Sequence, residues 1–143
     1  MSNDGDRKLE AVLARAQAAV ADLAKNYGKN TLVELDRCAE LMTAARESAA
    51  ACATSIKELY GVAHNIKGQG SSFGYPLVTR IGHSLCVLTR TEREFKDSDL
   101  GVAQAHLDAL RLILTKDIKG EGGELGAKLA KRLEDMVEKV NNA

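Results

Sequence analysis

Apolar residues recur every three or four positions along most of the chain, and this periodicity constrains the fold more than any other feature. Such spacing puts the apolar side chains on one face of an α-helix, whereas a half-buried strand would alternate at every second residue. The chain has 143 residues, one proline (Pro76) and only 3% aromatic residues, so helices meet few interruptions and strands lack their preferred residues. The sequence therefore predicts an all-α protein.

The first half of the chain contains three predicted helices. After a loose start over residues 1–6, the first helix is predicted to end near Gly28, where glycine interrupts the pattern. Thr31 and Ser55 are each followed three residues later by a glutamate, and these capping boxes predict the starts of the second and third helices. The apolar stripe of the first helix consists of Leu9, Val12, Leu13, Ala16, Val20 and Leu23.

The second half contains three more predicted helices. Gly74 ends the third helix and Pro76 fits the first turn of the fourth, so these two helices should form an antiparallel hairpin. Ser98 is the predicted N-cap of the fifth helix, and a GEGG run over residues 120–123 separates it from the sixth. Six amphipathic helices with short connections bury their apolar stripes most simply as an antiparallel four-helix bundle with additional terminal helices, in a single domain over residues 1–143.

Charge and cysteine content restrict the possible partners. Twenty basic residues balance twenty acidic ones, so no overall field favours nucleic acid or an anionic membrane. Cys38, Cys52 and Cys86 are odd in number and lack the spacing of a zinc site or a disulfide framework, so we expect reduced thiols. The N-terminus lacks a signal-like apolar core, and no run of about 18 apolar residues occurs, which predicts a cytoplasmic protein.

The third predicted helix carries the residues with the most evident chemistry. His64 lies about a third of a turn away from its apolar face and should be at least partly exposed. An exposed imidazole offers a neutral nitrogen that can accept a phosphoryl group, and Lys67, one turn on, could stabilise the phosphoryl oxygens. The apolar face consists of Ile56, Leu59, Ala63, Ile66 and Gly70.

Two glycines flank the histidine on this helix. Gly61 and Gly68 lie one turn before and after His64, and each costs about 0.5–1 kcal/mol of helix stability relative to alanine. We interpret them as clearance, which keeps side chains away from the place where a partner would approach the imidazole.

Plainer interpretations of these residues stay open at this point. Taken alone, His64 is an ordinary surface histidine and Lys67 a solvated helix lysine. His83 lies away from the apolar stripe of its helix and is predicted to be solvated, whereas His106 lies on the apolar side and is predicted to be a hydrogen-bonded core residue. Tyr60, one turn before His64, is a candidate for a partner-docking patch.

The segment AHNIKGQGSSFG, residues 63–74, resembles the signature of histidine phosphotransfer (HPt) domains. That signature is HxxKG, then small residues, then an apolar residue and a glycine, and it is filled here by His64, Lys67, Gly68, Phe73 and Gly74. The segment is similar in particular to the phospho-accepting domain of chemotaxis kinases, although no kinase catalytic or ATP-binding segment follows in this sequence. The predicted helical hairpin fits the four-helix bundle of the family.

The resemblance implies an intermediate in a two-component phosphorelay. His64 would take a phosphoryl group from a receiver-domain aspartate or a histidine kinase and pass it to another receiver aspartate, as a stoichiometric carrier and not as an enzyme. The implied partners are receiver domains of response regulators and hybrid histidine kinases. The receiver would bring Mg²⁺, and the protein would need no cofactor or metal of its own. One receiver docks at a time, so a monomer is expected.

The docking patch around His64 is predicted to contain Tyr60, Gly61, Gly68, Gln69 and Ser71. Two other classes of function compete with the phosphocarrier. A non-phosphorylated helical adaptor could bind a signalling partner through the same face. A metalloenzyme or hydrolase would need a constellation of ligands or catalytic groups that the sequence does not present.

Overall fold

The computed structural model describes residues 3–90 and 92–143, and within them the regular structure consists of five α-helices and one short 3₁₀ turn, with no strand. The prediction of an all-α protein is confirmed. The helices are α1 (Asp4–Ala45), α2 (Ala49–Gly70), α3 (Pro76–Thr89), α4 (Asp97–Thr115) and α5 (Gly123–Asn141), and the 3₁₀ turn is Ser71–Phe73.

The first two predicted helices are one continuous helix, α1, of 42 residues. Gly28 lies buried inside it and does not end it. Thr31 is not an N-cap, because its hydroxyl donates to the carbonyl oxygen of Tyr27 one turn earlier at 2.7 Å. The loose start predicted over residues 1–6 is also wrong from Asp4 onward, where the helix begins, while residues 1–2 lie outside the described residues.

The start of α2 lies earlier than predicted. Ser48 is the N-cap, and its hydroxyl oxygen accepts a hydrogen bond from the backbone N–H of Ala51 at 3.0 Å. Ser55, the predicted cap, is buried inside the helix. The alanine-rich run after Ser48 favours helix, so the chain enters α2 before it reaches the capping box.

The start of α4 was also assigned to the wrong residue. Ser98 lies in the first turn, and the N-cap residue is Lys96. The carboxylate of Asp99, the third residue of the helix, accepts a hydrogen bond from the backbone N–H of Lys96 at 2.7 Å and so caps the helix. Arg93 donates two further hydrogen bonds to Asp99, at 2.8 and 2.7 Å, and a third to Asn141 of α5 at 2.9 Å. Through these bonds Arg93 joins the buried Asp99 at the start of α4 to the end of α5.

The turn between α2 and α3 follows the prediction. Gly74 adopts a left-handed conformation, with φ of 89°, and Pro76 stands in the first turn of α3. The backbone N–H of Tyr75 bonds to the carbonyl of Gly70 at 2.9 Å, and the loop after α4 closes over this turn, because Gly120 N–H donates to the Gly74 carbonyl at 2.9 Å. Backbone hydrogen bonds to the end of α2 and to the loop after α4 therefore fix this turn.

The helices pack around one apolar core. α1 contacts α2 and α4, α3 contacts α2 and α4, and α5 covers α3 and α4. Among the residues described, none of the helices combines the length and hydropathy needed to cross a membrane. The largest side chains at the centre are Leu35, Leu59, Ile66, Ile81, Leu85, Leu88, Leu110 and Ile113.

The N-terminal half of α1 does not join this core. The first buried residue of the helix is Ala24. The apolar stripe predicted to be buried is instead exposed along its whole length, with Leu9, Val12 and Leu13 at 69%, 54% and 56% exposure and Val20 and Leu23 at 59% and 55%. The expectation that every amphipathic helix buries its stripe within the chain is thus wrong for this segment.

Candidate functional site on helix α2

α2 separates a buried face from an exposed one, as the periodicity predicted. Its buried residues are Cys52, Ser55, Ile56, Leu59, Ala63, Ile66 and Gly70. His64 follows the fully buried Ala63 and points to the outside, where it is exposed. The helix is anchored by its buried face, so the imidazole is presented on a rigid element.

The immediate surroundings of His64 form a shallow depression. Tyr60 lies one turn earlier, with its ring centroid 6.1 Å from that of the imidazole and the two planes tilted by 43°. Asn65 and Glu58 also line the depression, and the Glu58 carboxylate accepts a hydrogen bond from Arg37 of α1 at 2.9 Å. The neighbouring helix α3 contains no acidic residue, so it supplies no carboxylate to the imidazole.

The glycines of α2 fall into two groups. A methyl group added at Gly61 or Gly68 would meet no other part of the fold within 4 Å. A methyl group at Gly70 would lie 2.5 Å from the hydroxyl oxygen of Thr79 and 3.0 Å from the carbonyl oxygen of Tyr75. Close packing of α3 therefore explains Gly70, whereas no contact within the described part of the chain explains the two glycines that flank His64.

Lys67 lies at the seam between α2 and α3. It is half-buried, and a methyl group at Gly82 of α3 would lie only 3.2 Å from the Lys67 backbone nitrogen. Burial raises the pKa of the nearby Cys86 thiol, and the positive charge of Lys67 opposes that rise. Sequence analysis missed Gly82, although a glycine inside a helix away from any cap is a signal of close helix packing.

The predicted docking residues do not all share one surface. Gly61, Gly68 and Ser71 are exposed and Tyr60 is half-buried, and these four lie on the His64 side of α2 or in the turn that follows it. Gln69 is exposed too, but five residues of helix turn it about 140° away from His64. Gln69 therefore lies outside the surface centred on the histidine.

A groove of about 780 Å³ adjoins this surface. It lies between the first half of α2, including Ile56 and Tyr60, and the connection from α3 to α4, including Arg90 and Phe95. The guanidinium of Arg93 lies 5.2 Å from the centre of the Phe95 ring and fixes that wall. Sequence analysis did not find this groove, because its two walls lie in separate segments of the chain, residues 49–60 and 89–95.

The other two histidines match their predicted environments. His83 is exposed. His106 is fully buried; its Nδ1–H donates to the Val102 carbonyl at 2.7 Å, so Nε2 accepts from the Ser84 hydroxyl at 2.8 Å.

The cysteines and possible metal ligands give no second site. Cys38, Cys52 and Cys86 are free and buried, and burial raises the pKa of the Cys38 thiol to about 12. Within residues 3–90 and 92–143, no three His, Cys, Asp or Glu side chains are grouped in a way that could hold a metal ion. Comparison of the chain with protein-family models, curated proteins and solved structures finds no match.

Proposed function

We propose that the protein is a histidine phosphotransfer protein that carries a phosphoryl group on His64 between a receiver-domain aspartate, or a histidine kinase, and another receiver aspartate. The observation that carries the proposal is the arrangement on α2. An exposed imidazole stands one turn from Lys67, between two glycines that no internal contact requires. In the fold, α1 contacts α2 and α4, and α3 contacts the same two helices. This arrangement is compatible with the family's antiparallel four-helix bundle, with α5 and the N-terminal half of α1 as additions.

The proposed transfer needs little from this protein beyond positioning. The unprotonated imidazole nitrogen of His64 attacks the phosphorus of the receiver's aspartyl phosphate, a P–N bond forms, the P–O bond to the aspartate breaks, and the carboxylate leaves with the electron pair. The other ring nitrogen keeps its proton. The side chain of Lys67 supplies positive charge close to the phosphoryl oxygens, and Mg²⁺ belongs to the receiver.

The surface around His64 also suits docking of a receiver. The receiver's active site must close around the imidazole, which is easier where Gly61 and Gly68 present no side chain. Tyr60 belongs both to the depression around His64 and to the adjoining groove, so an apolar segment of the receiver could occupy the groove while its aspartate faces His64. We place the docking surface on α2 and on this groove.

A transfer assay tests the proposal. The protein is incubated with Mg²⁺ and receiver domains from the same cell that carry a ³²P-labelled aspartyl phosphate. We expect label to move onto the wild type and to be acid-labile and alkali-stable, as phosphohistidine is. His64→Gln should stay folded and accept no label, because an amide is no nucleophile, while the exposed His83→Gln serves as the matched control and should accept label normally.

The same assay separates the carrier from the adaptor. An adaptor would bind a receiver through the α2 surface, but no label would reach the wild type. Label retained by a folded His64→Gln variant would show that another residue accepts the phosphoryl group. Label lost from a folded His83→Gln variant would show that the wrong histidine was chosen.

A further inference from the structure

The exposed apolar face of the N-terminal half of α1 has no partner within the described residues. We call its residues Leu9, Val12, Leu13, Ala16, Val20 and Leu23 the N-terminal stripe. Five of them are large side chains that each expose more than half of their surface, on the order of several hundred Å² in total. An apolar patch of that size is comparable with the largest that monomeric proteins expose, and such patches often mark interaction sites, so the stripe indicates an interface.

Apart from Leu13, whose counterpart is Ala19, the residues of the stripe follow the same order in both directions from Ala16. Leu9 and Leu23 stand seven positions before and after Ala16, and Val12 and Val20 stand four positions before and after it. In a two-fold symmetric contact, residue i of one copy meets residue j of the other while j meets i. Two antiparallel copies of this helix, with their two Ala16 residues at the axis, would therefore pair leucine with leucine and valine with valine.

We propose that the protein forms a two-fold symmetric dimer in which the N-terminal halves of α1 pack antiparallel through the N-terminal stripe. The small Ala16 at the axis lets the two helices approach closely. The contact buries the stripe of both copies, on the order of 1,000 Å² in total, which is at the lower limit for a specific protein interface. This inference does not depend on the proposed phosphotransfer, and it replaces the expectation of a monomer.

The charges around the stripe favour a second copy of the chain over a lipid surface. A helix that lies on a membrane usually carries an excess of Lys and Arg on its polar face. Residues 4–23 contain four acidic and three basic residues, a net charge of −1. Lys8, which also pairs with Asp4 of its own chain at 3.5 Å, lies on the same side of the helix as Asp22, near the opposite end of the stripe. Antiparallel pairing therefore brings Lys8 of each copy towards Asp22 of the other. The charged residues are Asp4, Asp6, Arg7, Lys8, Glu10, Arg15 and Asp22.

The mass of the full chain in solution tests the proposal, by sedimentation velocity and light scattering over a range of concentrations. One chain has a mass of 15.3 kDa, and we expect the wild type to show twice that value at micromolar concentrations. Ala16→Glu places a charge at the axis and should give a monomer. Ala18→Glu is the matched control, because it makes the same change two residues away on the opposite side of the helix, and it should remain a dimer.

Cysteine pairing tests the orientation. The three native cysteines are buried, so new cysteines on the stripe can be followed separately. Under mild oxidation, an equimolar mixture of Leu9→Cys and Leu23→Cys should give mainly the mixed disulfide-linked dimer. Each variant linked mainly to itself would indicate parallel helices and would overturn the proposal. A wild type that is monomeric at all concentrations, or a folded Ala16→Glu variant that stays dimeric, would overturn it as well.

Discussion

The two groups of glycine in α2 lead to opposite expectations for substitution. Gly68 faces open space one turn after His64, so Gly68→Gln should keep a thermal midpoint no lower than that of the wild type, because glutamine favours helix by up to about 1 kcal/mol. A side chain at this place obstructs the receiver, and a misplacement of about 1 Å can lower a rate a hundredfold. We therefore expect phosphotransfer from a labelled receiver to fall by at least about tenfold.

The control for this substitution is Gly101→Gln on α4. Gly101 is exposed, and a methyl group there also meets nothing within 4 Å, so the variant should fold and transfer normally. A Gly68→Gln variant that unfolds, while its folded fraction transfers at the normal rate, would show that the glycine serves helix packing. The clearance interpretation would then be wrong.

His106 makes the stability of the protein depend on pH. Burial lowers the pKa of His106, although its hydrogen bond to Val102 and the charge of Glu134 on α5 act in the opposite direction. The folded protein thus keeps a neutral ring at a pH where the unfolded chain, with an ordinary histidine pKa of about 6.5, takes up a proton. Below that pH the unfolded state binds more protons, so the free energy of unfolding falls.

We expect urea denaturation to show a loss of up to about 1 kcal/mol between pH 7.5 and pH 5.5 that is due to this residue. His106→Gln should be less stable at pH 7.5, because a flexible glutamine amide cannot keep both the bond to the Val102 carbonyl and the bond from the Ser84 hydroxyl in the geometry of the ring. Its stability should change less over the same pH interval. His64 and His83 are present in both proteins, so any contribution they make to the pH dependence of stability cancels in the comparison. If the variant lost as much stability as the wild type over this pH interval, His106 would not be the source of the pH dependence.

At the scale of helices, periodicity was a better guide than capping signals. The buried face of α2 and the turn at Gly74 and Pro76 could be predicted, because apolar spacing and the backbone preferences of glycine and proline are local properties. Three predicted helix starts are wrong. Thr31 lies inside α1, where no helix begins. Ser55 lies seven residues after Ser48, which caps α2, and Ser98 is next to Asp99, whose carboxylate caps the start of α4. A capping box is only four residues long, and tertiary contacts decide among competing candidates.

The start of α4 offers a direct test of this point. Asp99→Ala should lower the free energy of unfolding by about 2 kcal/mol or more, because it removes the cap and leaves Arg93 without its carboxylate partner. Ser98→Ala, at the neighbouring position that the sequence favoured, should change it by no more than about 0.5 kcal/mol. Denaturant unfolding of the two variants gives the comparison, and a larger loss in Ser98→Ala would reverse the assignment of the cap.

For the whole molecule, the sequence indicated the exposed site more fully than its surroundings. The exposure of His64 and the place of Lys67 one turn on follow from the geometry of a single helix. The groove beside Tyr60, the approach of Gly82 to Lys67 and the exposed stripe depend on which helices meet in space. An apolar stripe on a helix predicts that it packs against another surface, but the sequence does not tell whether that surface belongs to the same chain or to another one.

The division of α1 predicts that the bundle and the N-terminal stripe can be separated. A variant that lacks residues 1–21 keeps every buried residue of α1, since the first of them is Ala24. We expect it to unfold cooperatively and to accept phosphoryl groups at a rate within about twofold of that of the full chain, because His64 and the groove lie on other elements.

The thermal midpoint of the truncated chain should not depend on protein concentration, whereas that of the dimeric full chain should rise with concentration by mass action. Calorimetry at several concentrations and the transfer assay distinguish the outcomes. A truncated chain that fails to fold would show that the N-terminal half of α1 supports the bundle.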